Sequence, residues 1–195
     1  MNGCRLNFPK INDFHLRRAV RHLRQGGVVA HATEGVWGLA CNPFDCQAVA
    51  RILAIKGRSP DKGLILIGAS ADCFAPELEP LTAADRRAVQ STWPGPVSWV
   101  LPSERFPVWI TGAGLGPRPT VAVRVPGHAQ ARALCERFGG PLVSTSANPS
   151  GVAATDSVLR VRRWFGGAVD FIAPGQTLGR QGPSQLRTLA GEVLR

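Results

Sequence analysis

"DFHLRRAVRHLRQGGVVAHA", residues 13–32, contains the change of period on which the fold turns. Leu16, Ala19, Val20 and Leu23 recur at three- and four-residue spacing, so one side of a helix is apolar; Asp13 stands as its cap and Gly26-Gly27 as its stop. The five residues that follow, 28–32, read as a strand. The unit then repeats. "DCQAVARILAIKG" (45–57) has Asp45 as cap, Val49, Ile52 and Leu53 as the buried stripe and Gly57 as terminator, and "LILIG" (64–68) is the next strand.

Farther along, Thr82 and Asp85 have the spacing of a capping box for a helix that must end before Pro94. "PVSWVLP" (96–102) and "TVAVRV" (120–125) read as strands, the second covered on both faces because it alternates poorly. "HAQARALCERFGG" (128–140) predicts a helix with Cys135 in the core, and "PLVST" (141–145) another strand. A last helix is expected from near Thr155, carrying Val158, Val161 and Phe165, with short strands at 169–173 and 191–195. Alternating helices and strands predict an α/β sheet covered by helices, and without repeats or a low-complexity linker residues 1–195 are expected to form one domain.

Composition narrows the function classes. With 195 residues and 44% hydrophobic content the chain can bury a real core. No apolar run approaches the roughly 20 residues of a membrane span, and "MNGCRLNFPKINDF" lacks the layout of a secretory signal, so the expected location is cytoplasmic. Five cysteines, at 4, 41, 46, 73 and 135, form no CxxC pair, which argues against both a zinc site and a disulfide framework. Lys plus Arg is 23 against 13 for Asp plus Glu, and the resulting charge of +10 favours polyanionic partners such as nucleotides or RNA.

Three stretches interrupt the pattern with polar chemistry. "HATEGVWGLACNPFD" (31–45) leaves a strand for a Gly-rich loop; "IKGRSPDKG" (55–63) leaves a helix with Lys56, Arg58 and Lys62; "STSANPSG" (144–151) leaves a strand with hydroxyls and an amide. Ligands of open α/β sheets sit beyond strand ends where such loops converge, so the three are candidates for one site. Each has a plainer reading. The basic loop is a phosphate clamp or a solvated charge run, and the Ser/Asn cluster a ligand contact or an ordinary turn. Arg124, inside an apolar strand, pairs with a structural carboxylate or a bound anion. His31 at a strand end is a base or a packed, hydrogen-bonded group. No P-loop and no nucleophile elbow occurs.

In order and spacing, "HATEGVWGLACNPFD", "KGRSPDKGLILI", "WPGPVSWVLP", "TVAVRVPGH" and "PLVSTSANPSG" resemble the YrdC/TsaC family, the L-threonylcarbamoyladenylate synthases, from about residue 13 to the end. The length is similar to the short TsaC-type form. The resemblance implies a YrdC-like α/β fold, a twisted mixed sheet flanked by helices with a concave basic ligand site. The family's Lys-x-Arg pair falls on Lys56 and Arg58, implied to be catalytic, and its Ser-x-Asn pair on Ser146 and Asn148. Arg58, Lys62, Thr120, Ser146, Asn148 and Arg195 match ATP positions; Thr33, Arg124, Ser144 and Ser184 match threonine positions, Ser184 and Arg195 being late in the chain. The implied reaction joins L-threonine, bicarbonate and ATP into threonylcarbamoyladenylate and pyrophosphate, with Mg²⁺ accompanying ATP. It leads to threonylcarbamoyladenosine in tRNA through downstream threonylcarbamoyl-transferase proteins, and tRNA or double-stranded RNA is a further implied partner.

The chain departs from the family pattern at His31 and Ala32, where an aromatic residue and Pro are usual, at Gly35 in place of a Thr, and at Trp37 in place of Tyr or Phe. These positions border the site. The alternative function is a non-enzymatic RNA-binding protein of ribosome or tRNA maturation, for which the +10 charge speaks.

Overall fold

The computed structural model describes residues 12–112 and 118–194. Its elements are α1 (Asp13–Arg24), β1 (Val29–Ala32), β2 (Trp37–Cys41), α2 (Cys46–Lys56), β3 (Ile65–Ile67), α3 (Ala75–Leu78), α4 (Ala83–Ser91) and β4 (Val97–Pro102). They continue with α5 (Val108–Thr111), β5 (Thr120–Arg124), α6 (Ala129–Phe138), β6 (Leu142–Ser146), α7 (Val158–Phe165), β7 (Phe171–Ile172) and β8 (Gln185–Thr188). The strands form one mixed sheet in the order β7-β1-β2-β6-β3-β5-β4-β8.

Local signals set most helix boundaries. Asp45 caps α2 by accepting from the Gln47 and Ala48 amides, and Gly57 ends it in the left-handed region at φ 60°, which a residue without Cβ adopts freely. Thr82 caps α4 by accepting from Asp85 N. The α1 cap is Asn12, not Asp13: Asn12 accepts from His15 N, while Asp13, inside the first turn, pairs with Arg17 and Arg137. Helix α7 begins at Val158, three residues later than expected near Thr155.

Three further expectations need correction. The stretch 31–45 is not all loop, because the chain reverses at Thr33–Val36 and returns as β2, antiparallel to β1. The last strand is β8 rather than 191–195; residues 191–194 fold back on it, with Leu194 N donating to Leu186 O and one isolated bridge joining Arg187 and Val193. Strand β5 is not covered on both faces, since Val121 and Val123 are buried while Thr120 and Ala122 are partly exposed.

Side chains alternate between faces of a strand, so the pairing register assigns each residue to a side. On one side Ala30, Leu39, Leu66, Val123 and Val143 join the largest apolar cluster with Val49 and Ile52 of α2 and Phe165 of α7. On the other, Val29, Ala40, Ile67 and Leu142 pack with Leu16, Val20 and Leu23 of α1 and with Leu134 and Cys135 of α6. Helices α1 and α6 cover only part of this second face. The strands run on beyond them with Gly38, Ser144, Ser146, Ile65, Thr120 and Ala122 on the same side, as the pairs Gly38–Ser146, Ala40–Ser144 and Ile65–Ala122 require.

Candidate functional site

Where that face emerges from under the helices it forms an open cavity of about 570 Å³, bordered by Thr33, Arg58, Arg124, Ser144, Ser146 and Ser184. A second cavity of about 710 Å³ adjoins it, with Lys62, Thr120, Leu186 and Leu194 among its walls, and Arg58, Leu64 and Ile65 belong to both. Eight of the eleven residues to which the family resemblance assigns a site role thus border one compartment or the other. Lys56 and Asn148 border neither, and Arg195 lies outside the described residues.

The three basic residues of 55–63 turn out to be unlike one another. Lys56 is the last residue of α2, only 4% exposed, and its Nζ donates to the carbonyl oxygens of Ser146 and Asn148, the latter at 2.6 Å. It is a buried strut beneath the loop after β6, and burial, aided by the nearby Arg58 charge, lowers its pKa to about 8. Arg58 is braced by its own loop, Nη2 donating to Gly63 O at 2.9 Å and to Lys62 O at 3.2 Å. Lys62 is exposed at the end of a short 3-10 turn, Pro60–Lys62, which Ser59 caps.

The loop after β6 contains both a ligand wall and a turn. Ser146 faces the first cavity, whereas the Asn148 amide donates to Val152 O at 2.6 Å and to Pro149 O at 3.1 Å, tying its own loop. Asn148 Oδ1 is buried with no hydrogen-bond partner among the described residues.

Arg124 is 5% exposed and forms an ion pair with Glu34 at 3.3 Å. A buried pair needs additional hydrogen bonds, and Gly127 N supplies one, donating to Glu34 Oε1 at 2.7 Å. The structural carboxylate is therefore present, and Arg124 still borders the cavity. Glu34 belongs to no motif that marks it as a partner of Arg124, although it is the one acidic residue between Asp13 and Asp45. Its backbone carbonyl also accepts from Leu178 N at 2.9 Å and Arg180 N at 3.2 Å, which fastens the 174–184 segment along the cavity rim. That close approach accounts for Gly35: a Cβ there would lie 2.2 Å from Gly182 O and 2.7 Å from Arg180 O. Ser184 ends the segment, its hydroxyl 3.1 Å from that of Ser98.

Thr33 Oγ1 donates to Val36 O at 2.6 Å and so closes the β1–β2 reversal. His31 is fully buried, 3.3 Å from Ser144 Oγ, and its pKa is lowered to about 4 by burial, then by the neighbouring His128 and Arg124. It is thus a neutral, hydrogen-bonded group. Trp37 is buried too, with Nε1 donating to Asp156 O at 3.1 Å. Among the described residues no cluster of His, Cys, Asp or Glu is arranged to hold a metal ion, and no helix is long and apolar enough to cross a membrane.

A family model described as "Telomere recombination", covering Sua5, YciO and YrdC proteins, matches residues 21–195. The chain belongs to the Sua5/YciO/YrdC family. Among curated members, the threonylcarbamoyl-AMP synthase of Halorhodospira halophila is 50% identical over 188 residues, spanning 96% of this chain and 95% of that protein. The protein of the same name from Cellvibrio japonicus is 47% identical over 189 residues, 96% and 95% of the two chains. Among solved members, P. abyssi Sua5 complexed with L-threonine superposes with a TM-score of 0.87 at 34% identity, covering 96% of this chain. The present chain spans 55% of that structure's length. E. coli YciO, at 23% identity, a TM-score of 0.84 and coverage of 96% and 91%, shares the fold.

Proposed function

We infer that this family member is an ATP-consuming synthase that makes threonylcarbamoyl-AMP from L-threonine, bicarbonate and ATP with release of pyrophosphate. The observation that carries the reading is the pair of adjoining cavities that share Arg58: one has Arg124 with small hydroxyls, the other Lys62 with Thr120. The first suits an amino acid. Arg124 offers a planar fork to the threonine carboxylate, with Thr33, Ser144 and Ser184 around it. The second suits the nucleotide, whose triphosphate would pass Arg58 and Lys62.

The chemistry needs no protein nucleophile. The threonine nitrogen adds to bicarbonate with loss of water, giving a carbamate; a carbamate oxygen then attacks the α-phosphorus of ATP and pyrophosphate leaves. Catalysis rests on holding the two substrates in line and on neutralising charge that develops between the cavities, where Arg58 stands. Lys56 acts from beneath by fixing the Ser146–Asn148 backbone that the nucleotide meets. Mg²⁺ would enter as part of the ATP substrate and would add to the neutralisation of triphosphate charge by Arg58 and Lys62; Glu34 is already engaged by Arg124 and Gly127.

In this reading the product passes to threonylcarbamoyl-transferase proteins acting on tRNA in the cytoplasm. A pyrophosphate-release assay tests it directly. Release should require threonine, bicarbonate and ATP together; release that persists when threonine or bicarbonate is omitted overturns the assignment.

A further inference from the structure

His31 and Ser144 belong to strands that β2 separates, and they meet because residue 38 has no side chain. His31 lies directly across from Gly38, and a Cβ at Gly38 would stand 3.1 Å from both His31 Nε2 and Ser144 Oγ. Through that gap the ring nitrogen and the hydroxyl approach to 3.3 Å.

The direction of this hydrogen bond follows from the other side of the ring. His31 Nδ1 is 3.2 Å from Ala32 O, and a carbonyl oxygen only accepts, so Nδ1 carries the proton. A neutral imidazole has one N–H, which leaves Nε2 as an acceptor. Burial, with His128 and Arg124 nearby, keeps the ring neutral at ordinary pH. Ser144 therefore donates its hydroxyl proton to His31 and can turn only lone pairs toward the cavity it borders.

We propose that the His31–Ser144 pair fixes the hydrogen-bond polarity of the amino-acid cavity, presenting Ser144 Oγ as an obligatory acceptor for the α-nitrogen of the substrate. A zwitterionic amino acid needs a cation for its carboxylate and an acceptor for its nitrogen; Arg124 supplies the first and Ser144 the second. The nitrogen keeps one hydrogen after carbamate formation, so the same acceptor serves before and after that step. His31 is a positioning residue acting through Ser144, at a position where the pattern of the family it resembles usually has an aromatic residue. The inference rests on the threonine reading of the cavity.

The test has one arm without substitution. Nitrogen NMR of the ¹⁵N-histidine-labelled full chain should show His31 unprotonated at Nε2 from pH 5 to 8; a protonated Nε2 overturns the proposal. In the second arm threonine and ATP are titrated separately by calorimetry into wild type, His31→Phe, Ser144→Ala and the double variant. His31→Phe should weaken threonine about three- to tenfold, the scale of one hydrogen bond, with ATP affinity changed less than about twofold on that scale. The double variant should be no worse than Ser144→Ala alone. Additive losses, unchanged threonine affinity, or an equal loss for ATP would each overturn the proposal. Failure of wild type in the pyrophosphate assay would instead overturn the reaction, and the two outcomes are thereby distinguishable.

Discussion

Strand β6 places two kinds of surface on one line. Leu142 at its start is fully buried under α1 and α6, while Ser144 and Ser146, on the same side two and four residues later, border the open cavity. Their backbone ladder is continuous, with β2 on one edge and β3 on the other. Side-chain chemistry changes where the helical cover stops: leucine where a helix must be glued down, serine where something polar must be admitted. One half of the face should therefore carry stability, and the other half ligands.

Leu142→Ala probes the covered half and should have the largest effect. Truncating a fully buried leucine leaves a cavity and costs about 2–5 kcal/mol. Thermal unfolding should drop sharply, while turnover measured well below the new melting temperature stays close to wild type. Matched losses of turnover at low temperature would show that the helical cover and the cavity are not separable.

Arg58→Ala probes the open half. Removing a charge from the place where the two cavities join should cost about 2–4 kcal/mol of transition-state stabilisation, with turnover falling by the corresponding factor. Melting should change less than turnover, because the guanidinium donates to carbonyls of its own loop, Lys62 O and Gly63 O. Near-normal pyrophosphate release would remove Arg58 from the reaction.

The comparison also indicates what the sequence could reveal. Helix α2 was legible because its signals are local: Asp45 caps within three residues and Gly57 turns the chain by itself. Strand β2 was not, since it is buried along its whole length and shows no alternation, and the reversal before it is closed by the Thr33 side chain rather than by a paired turn motif. The positions bordering the cavities were legible through the family resemblance, because their order along the chain is what the motifs record. Their partners were not. Glu34 and Arg124 are ninety positions apart, and only the folded sheet brings them within 3.3 Å. Lys56 resembled a loop charge because of its chemistry and its place at the helix end, although it stands seven residues after Val49 and four after Ile52, in register with the buried stripe of α2.

His31 ties the two halves of the face together, and acid should expose the tie. Its folded pKa of about 4 lies below the ordinary 6.5, so between those values the unfolded chain binds a proton that the folded protein refuses. Stability is then complete above about pH 6.5 and declines as the pH falls toward 4, by about 3 kcal/mol in all. Denaturant unfolding at several pH values should show this slope in wild type and a shallower one in His31→Phe. Identical slopes would mean that the acid sensitivity lies elsewhere.

The smallest effect is expected at Lys56, where stability and ligand binding oppose each other. Its folded pKa of about 8 lies below the ordinary 10.5 because burial, helped by Arg58, disfavours the charge. Below pH 8 the folded state carries this penalty, and as the pH rises through 8 toward 10.5 the unfolded chain alone retains the proton, so this group's contribution to stability rises with pH. ATP binding should show the opposite trend. A triphosphate above the Ser146–Asn148 backbone would favour the charged amine and draw its pKa back up, so ATP binding near pH 8 should take up protons. ATP affinity should then weaken severalfold from pH 7.5 to 9, and the heat of binding at pH 8 should depend on the ionisation heat of the buffer. Lys56→Arg keeps a charge throughout this range and should lose both dependences even if its affinity falls. Buffer-independent heats in the wild-type protein would show that Lys56 supports the loop through the Ser146 and Asn148 carbonyls alone, with no electrostatic part in nucleotide binding.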